Sequence, residues 1–211
     1  IRDRDQQMYE DAMFGILRTI TANHPDFVKD VVAVSVDTFR DTTVLLDEHN
    51  KPVRNTILWS DQRTADVSKK LPLKQRFLFK LVGMDRAIRA IRRKTKSRWV
   101  QQHEPEVWAR VKKVVCFSAY MNSLLVGKLV DCYASSMGHI PFDNKGKKWM
   151  GKHSLLFPVF DLTVEQVEIP LFAPGEVMGY VTAEAAAKSG LPEGLRVIAS
   201  GSDKGCETIG V

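Results

Sequence analysis

From Thr182 to Gly205 the residues follow an order that narrows the fold. Thr182 precedes the Ala-rich run Ala183–Ser189, Gly190 supplies a stop, RVIAS (Arg196–Ser200) is an apolar run with two β-branched residues, and Gly201 opens the turn GSDKG. A threonine side chain can satisfy the free amides at a helix start, and a glycine after the last turn takes the left-handed conformation that closes it. Helix, glycine stop, strand and glycine turn in succession predict an α/β protein, a mixed sheet flanked by helices. With 211 residues, 44% of them apolar, the chain can bury one core or one and a half, which excludes a disordered or fibrous class.

The earlier part supplies further elements. Met8, Ala12, Ile16 and Ile20 recur at helical spacing, with Phe14 and Leu17 widening the stripe, so Asp5–Ala22 is predicted to be an amphipathic helix ended by Asn23, His24 and Pro25. Three short apolar runs follow, Val31–Val36, Thr42–Asp47 and Val53–Trp59, the last two separated by the turn residues Asn50, Lys51 and Pro52. From Ala65 to about Leu129 the pattern is helical, broken near Pro72, Gly83 and Pro105, with Leu78, Leu81, Ile88, Ile91, Trp99 and Trp108 available for packing. Asp131–Gly151 is rich in Gly, Ser, Asn and Lys and reads as an irregular excursion over a surface. Neither an internal repeat nor a domain boundary is visible.

Charge and composition remove several functions. No window approaches the roughly eighteen consecutive apolar residues of a membrane span, and the opening IRDRDQQMYE lacks the apolar core of a secretion signal, so a cytoplasmic chain without membrane contact is expected. Cys116, Cys132 and Cys206 are odd in number and widely spaced, which suits small apolar fillers better than a disulfide framework or a zinc site. The net charge of +6 is concentrated in Arg86–Arg98, which holds seven basic residues and no acid. A single local run with only Trp99 beside it suits a solvated helical face; a nucleic-acid partner is not expected.

No phosphate loop, dinucleotide fingerprint, zinc-protease helix or nucleophile elbow occurs. Three constellations remain. In Thr38-Phe39-Arg40-Asp41-Thr42-Thr43, squeezed between two apolar runs, a guanidinium fork and a carboxylate together meet the mixed donor and acceptor demand of vicinal hydroxyls. The bland alternative is a hairpin tip on which Arg40 and Asp41 pair with each other. In ILWSDQRT an apolar run delivers Trp59 to a strand end, where Ser60 or Asp61 can cap a helix. In VIASGSDKG a strand opens into Asp203, and ligands of open α/β sheets gather outside the carboxyl ends of strands, where a carboxylate can take a proton from a hydroxyl. A helix cap at Asp203 explains the same residues.

In order, VAVSVDTFRDTTVLLDEHNKPVRNTILWSDQRT, HEPEVWARVKKV and APGEVMGYVTAEAAAKSGLPEGLRVIASGSDKG resemble the FGGY family of carbohydrate kinases. The resemblance implies a ribonuclease H-like, actin-like ATPase fold and ATP-dependent phosphorylation of a sugar or polyol hydroxyl. It implies Asp203 as general base and Arg40, Asp41 and Trp59 as substrate-binding residues, with Asp41 standing where glycerol kinases carry Glu. It further implies that residues 1–211 form the family's sugar-binding domain without its opening phosphate-binding hairpin. The ATP-binding domain, which holds most of the ATP and Mg2+ contacts, would lie beyond. On this reading the chain alone does not turn over ATP, its partners are a small sugar or polyol and ATP, and a homodimer is left open. A sugar-binding or regulatory module of the same fold, without catalysis, is the rival reading.

Overall fold

The computed structural model describes residues 2–136 and 138–209. Along the chain the elements are β1 (Asp3–Arg4), α1 (Gln6–Asn23), α2 (Pro25–Lys29), β2 (Ala33–Val34), β3 (Thr43–Leu46), β4 (Thr56–Ile57), α3 (Leu73–Leu81), α4 (Asp85–Lys94), α5 (Lys96–His103), α6 (Pro105–Ala109), β5 (Lys113–Cys116), α7 (Phe117–Val126), β6 (Asp131–Cys132), β7 (Phe142–Asp143), β8 (Lys148–Trp149), a 3₁₀ turn (Phe157–Val159), α8 (Val164–Val167), β9 (Leu171–Phe172), β10 (Val177–Tyr180), α9 (Ala183–Ser189), β11 (Arg196–Ile198) and α10 (Asp203–Ile209). The mixture is the expected α/β class.

These elements gather into two compact units between which the chain crosses repeatedly. One unit takes the residues up to Asp3, Thr43–Val115 and Gly138–Glu168; the other takes Arg4–Thr42, the stretch from Cys116 to the turn before Gly138, and the chain from Ile169 onward. Each unit is built from three separate stretches, so no single composition shift marks a boundary in the sequence.

The unit that begins at Arg4 carries a three-stranded sheet in the order β10-β11-β2. β10 runs antiparallel to β11, while β11 runs parallel to β2 with Arg196 opposite Ala33 and Val197 opposite Val34. α9 starts as expected, with the Thr182 hydroxyl accepting from the Ala185 amide at 3.2 Å, and ends on Gly190 at φ 77°. A β-carbon on Gly190 would collide with the Thr21 hydroxyl oxygen, so close approach as well as conformation demands glycine here. Leu125, Val130, Met178, Val181, Ala185 and Val197 form the core with Phe14 of α1. Burying each large aliphatic side chain contributes about 1.5–3 kcal/mol.

Three expectations change in this unit. α1 is capped by Asp5, which accepts from the Gln7 amide at 2.9 Å, but it buries Phe14 with Met13 and Leu17 and leaves Met8, Ile16 and Ile20 exposed. Only Ala33 and Val34 of the Val31–Val36 run are paired as a strand, and Val32 is 72% exposed. The stretch opening at Asp131 begins inside the protein, with Asp131, Cys132, Ser135 and Ser136 buried, and reaches the surface only in its later part, where residues 144–148 are exposed.

In the other unit β3 lies beside β5, the Lys112 amide donating to the Leu46 carbonyl at 2.8 Å. Asp47 shapes the turn that follows β3 by accepting from the His49 and Lys51 amides, each at 2.9 Å, and the Lys51 bond is the largest influence holding its carboxyl below the usual range. Leu45, Val100, Val114, Phe157, Val159 and Val167 are core residues. Among them runs the Arg98 side chain, 1% exposed, paired with Asp161 at 2.6 Å and donating to the Val159 carbonyl at 3.1 Å. The basic run is therefore not one solvated face, since Arg92 and Arg98 are buried. Leu81, expected to pack, is exposed together with Leu73 and Phe77 on α3.

Candidate active site

Asp203 stands at the end of β11 because the strand has a neighbour that continues past it. Beyond the β11–β2 pairing, Thr38 and Ser202 form a further parallel bridge, and the Asp203 amide donates to the Thr38 carbonyl at 3.1 Å. Asp203 is thus the first residue of α10, and its Oδ1 accepts from the Lys204 amide at 2.7 Å. It serves the helix start and also faces a cation. Arg40 Nε lies 3.7 Å from Asp203 Oδ1, and the two side chains are 40% and 30% exposed. Arg40 is thus turned toward Asp203 at the end of β11.

Asp41 follows in the left-handed region at φ 56°, a conformation that Asp adopts more readily than most residues. Thr42 is buried, and its carbonyl accepts from the Phe117 amide at 2.9 Å. The Arg40-Asp41 pair is held from both sides: by the Thr38–Ser202 bridge before it and the Thr42–Phe117 bond after it.

An open cavity of about 490 Å³ adjoins these residues and counts Asp203 among its walls. Met13, Val34, Phe39, Phe117 and Met121 make it mainly apolar, and Asp37 and Asp203 are its acidic members. Phe39 and Phe117 stack with centroids 4.9 Å apart, and Tyr9 meets Phe117 edge-on at 5.0 Å. The apolar walls offer no partners to hydroxyls; Asp37 and Asp203, the latter with Arg40 beside it, can supply them.

A further carboxylate escaped the sequence reading. Asp131 is fully buried, accepts from Ser118 Oγ at 2.7 Å and from the Cys132 amide at 2.9 Å, and has Ser136 Oγ at 3.5 Å. Burial pushes its pKa up to about 7 despite these bonds and one from the Asn122 side chain. Asn122 Oδ1 is itself buried without a partner. The available signal was an acid directly following the apolar residues Leu129 and Val130 and followed by two serines at Ser135 and Ser136.

Trp59 belongs to the other unit and is 59% exposed after β4. Neither Ser60 nor Asp61 caps a helix, since the next one begins at Leu73. Asp61 is instead a buried clamp, accepting from Arg63 Nε at 2.8 Å and from the Arg2 amide at 2.6 Å. Burial alone would raise its pKa, but the Arg63 and Arg2 bonds prevail and hold the carboxyl well below the usual range. Arg63 also pairs with Asp3 at 2.7 Å and lies 4.5 Å above the Trp99 ring. The turn presenting Trp59 is therefore fixed by charge-assisted bonds rather than by a helix cap. Cys116 and Cys132 are buried and Cys206 half-buried, all as free thiols. No helix among the described residues is long and apolar enough to cross a membrane.

The geometry defines a mixed α/β domain with a carboxylate at a strand end, faced by an arginine. The match to known proteins is more specific. The model of the FGGY family of carbohydrate kinases, N-terminal domain, covers residues 3–210, and the chain belongs to this family. The xylulose kinase of Lactococcus lactis is 28% identical over 203 residues, covering 95% of this chain and 39% of that protein. A glycerol kinase of Halorhodospira halophila is 32% identical over 121 residues, covering 56% of this chain and 24% of its own. In structure, a ligand-bound xylulose kinase from Lactobacillus acidophilus superposes with a TM-score of 0.71 at 21% identity, covering 99% of this chain and 41% of the other. The chain spans about two-fifths of the length of the xylulose kinase it matches.

Proposed function

We propose that this chain is the sugar-binding side of an ATP-dependent carbohydrate kinase, with Asp203 as general base. The observation that carries the reading is the Asp203 carboxylate at the end of β11 with the Arg40 guanidinium 3.7 Å away. In phosphoryl transfer the substrate hydroxyl oxygen bonds to the γ-phosphorus, the bond from that phosphorus to the leaving ADP oxygen breaks, and the hydroxyl proton needs an acceptor. Asp203 is that acceptor. Arg40 donates to one hydroxyl and Asp41 accepts from its neighbour, fixing the attacking oxygen. Trp59, in the other unit, is proposed separately as a substrate-binding residue on its exposed apolar surface.

ATP and Mg2+ are the expected cosubstrate and cofactor. A magnesium ion takes oxygen ligands and keeps several waters, and its role is to neutralise charge on the transferring phosphoryl group. Asp203 is the carboxylate these residues would turn toward it; the described residues gather no group of three metal-ligating side chains. Most contacts to ATP are assigned to polypeptide outside the span matched here. We therefore expect no turnover of ATP by the 211-residue chain alone.

The test is ADP release by the longest product of the gene, given ATP-magnesium and a panel of polyols, ketopentoses and deoxy sugars, with Asp203→Asn beside it. Turnover with one substrate class, lost in the variant, supports the reading. Sugar-dependent thermal protection of both proteins without turnover assigns a binding module instead. Substrate-dependent ADP release by the 211-residue chain refutes its expected inactivity.

A further inference from the structure

The buried carboxyl of Asp131 is bonded to two segments that lead to the candidate site. On one side Ser118, in the first turn of α7, donates to Asp131 Oδ2 at 2.7 Å. The residue before it, Phe117, is a wall of the cavity and is bonded through its amide to Thr42, directly after Arg40 and Asp41. On the other side the Cys132 amide donates to Asp131 Oδ1, and the amides of Ser135 and Ser136 both donate to the Cys132 carbonyl, at 3.0 and 3.3 Å, closing a single tight turn. The outward member of that turn is Ser135, whose hydroxyl donates to the Gly201 carbonyl at 2.9 Å. Gly201 lies two residues before Asp203, directly ahead of the first turn of α10, which is closed by the Gly205 and Cys206 amides donating to the Ser202 carbonyl.

A buried carboxyl with four hydrogen-bond neighbours is expensive to assemble, and its energy is recovered only when each neighbour keeps its place. Such a group is a geometric reference point. We propose that Asp131 is a positioning residue for the candidate base: it fixes the Cys132–Ser136 turn, and through Ser135 this turn holds the Gly201 carbonyl and sets where the Asp203 carboxylate stands. The functional half of this statement rests on Asp203 being the base; the mechanical half does not.

Cys206 makes the mechanical half measurable without any sugar. It is half-buried, its amide closes the first turn of α10 by donating to the Ser202 carbonyl at 3.0 Å, and its Sγ lies 3.5 Å from Ser200 Oγ, whereas Cys116 and Cys132 are buried. The rate at which iodoacetamide labels Cys206 in the folded chain, read by peptide mass spectrometry well below the melting temperature, reports opening of that turn. Ser135→Ala removes only the bond to Gly201 and is expected to raise the Cys206 rate about fivefold at an almost unchanged melting temperature, the shift in local opening that one lost hydrogen bond produces. Asp131→Ala is expected to raise it at least as much. Asp131→Asn, which keeps shape and can bond the same hydroxyls and amide, is expected to stay within about twofold of wild type at pH 6. The double variant Asp131→Ala with Ser135→Ala should exceed the larger single effect only slightly, because both act through one route.

Unchanged Cys206 labelling in Ser135→Ala overturns the proposal, and this variant keeps the test decisive should Asp131→Ala fail to fold. Labelling of Cys116 and Cys132 that rises in step with Cys206 also overturns it, because the role is then merely structural. With a sugar that stabilises the wild type against heat, Ser135→Ala should show weaker protection; equal protection beside raised labelling breaks the step from the turn to Asp203. A wild type that no sugar protects sinks the proposed function, while the labelling order still decides the role of Asp131 in the turn.

Discussion

Replacing Asp131 with Asn should change how stability responds to pH, with a size that follows from burial. The folded state holds the carboxyl's pKa at about 7, while an unfolded chain returns it to its ordinary value of 3.8. Between these values the folded protein keeps a proton that the unfolded chain has lost, so rising pH draws the equilibrium toward unfolding. The contribution of Asp131 is thus complete below about pH 4, declines through the interval and is lost above about pH 7. The slope is about 1.4 kcal/mol per pH unit, so some 3 kcal/mol disappears between pH 5 and pH 8, nearly all of it by pH 7. Asp131→Asn mimics the protonated form and removes this slope. The neighbouring thiols do not obscure it, because burial raises both Cys116 and Cys132 above their ordinary range.

The assay is urea unfolding of wild type and variant at pH 5 and pH 8. With a denaturant dependence of about 2 kcal/mol per molar, the variant's midpoint should gain about 1.5 M on the wild type between the two pH values. The signal can be assigned to a unit, because the tyrosines (Tyr9, Tyr120, Tyr133, Tyr180) all lie in the unit that contains Asp131 and the tryptophans (Trp59, Trp99, Trp108, Trp149) all lie in the other. The pH-dependent gain should appear in tyrosine absorbance. A difference between wild type and variant that is the same at both pH values, within about 0.5 kcal/mol, refutes the account of Asp131 as a carboxyl kept neutral by burial.

Two further perturbations separate effects that commonly act together. Asp161→Asn keeps a residue that tolerates the left-handed φ of 55° but leaves the Arg98 guanidinium, 1% exposed, without its counter-charge; a loss of about 2–3 kcal/mol is expected in tryptophan-monitored unfolding, discounted for the partial exposure of Asp161. Gly190 and Gly194 both sit at φ +77°, but a β-carbon at Gly190 meets Thr21 whereas one at Gly194 meets nothing within 4 Å. Gly194→Ala should therefore cost about 1 kcal/mol and Gly190→Ala about 3 kcal/mol, and equal costs in thermal unfolding would remove close approach as the reason for glycine at Gly190.

What could be read from the residues was set by the range of the interaction. The start of α9 at Thr182, its stop at Gly190 and the strand into Gly201 and Asp203 depend on neighbours a few positions away, and each appears where expected. The Arg40 and Asp203 motifs were legible as local patterns, but their meeting at 3.7 Å is a product of the parallel β11–β2 pairing, which no local pattern encodes. The face of α1 was misjudged for a similar reason: helical spacing identifies a candidate stripe, yet the elements packed against the helix chose Phe14 with Met13 and Leu17 and left Ile16 outside.

Asp131 shows how composition can mislead. Serine, glycine and asparagine after an apolar run read as a surface loop, since such residues usually face water. A fully buried carboxyl needs short hydroxyl side chains within hydrogen-bond reach, and Ser118 and Ser136 provide them. The serines that suggested exposure are therefore what makes burial of the acid affordable, and the one that does not touch Asp131, Ser135, bonds Gly201 from 66 positions away. An acid following an apolar run and leading into paired serines is better read as the centre of a buried polar cluster, whose outermost member shows which strand end the cluster supports.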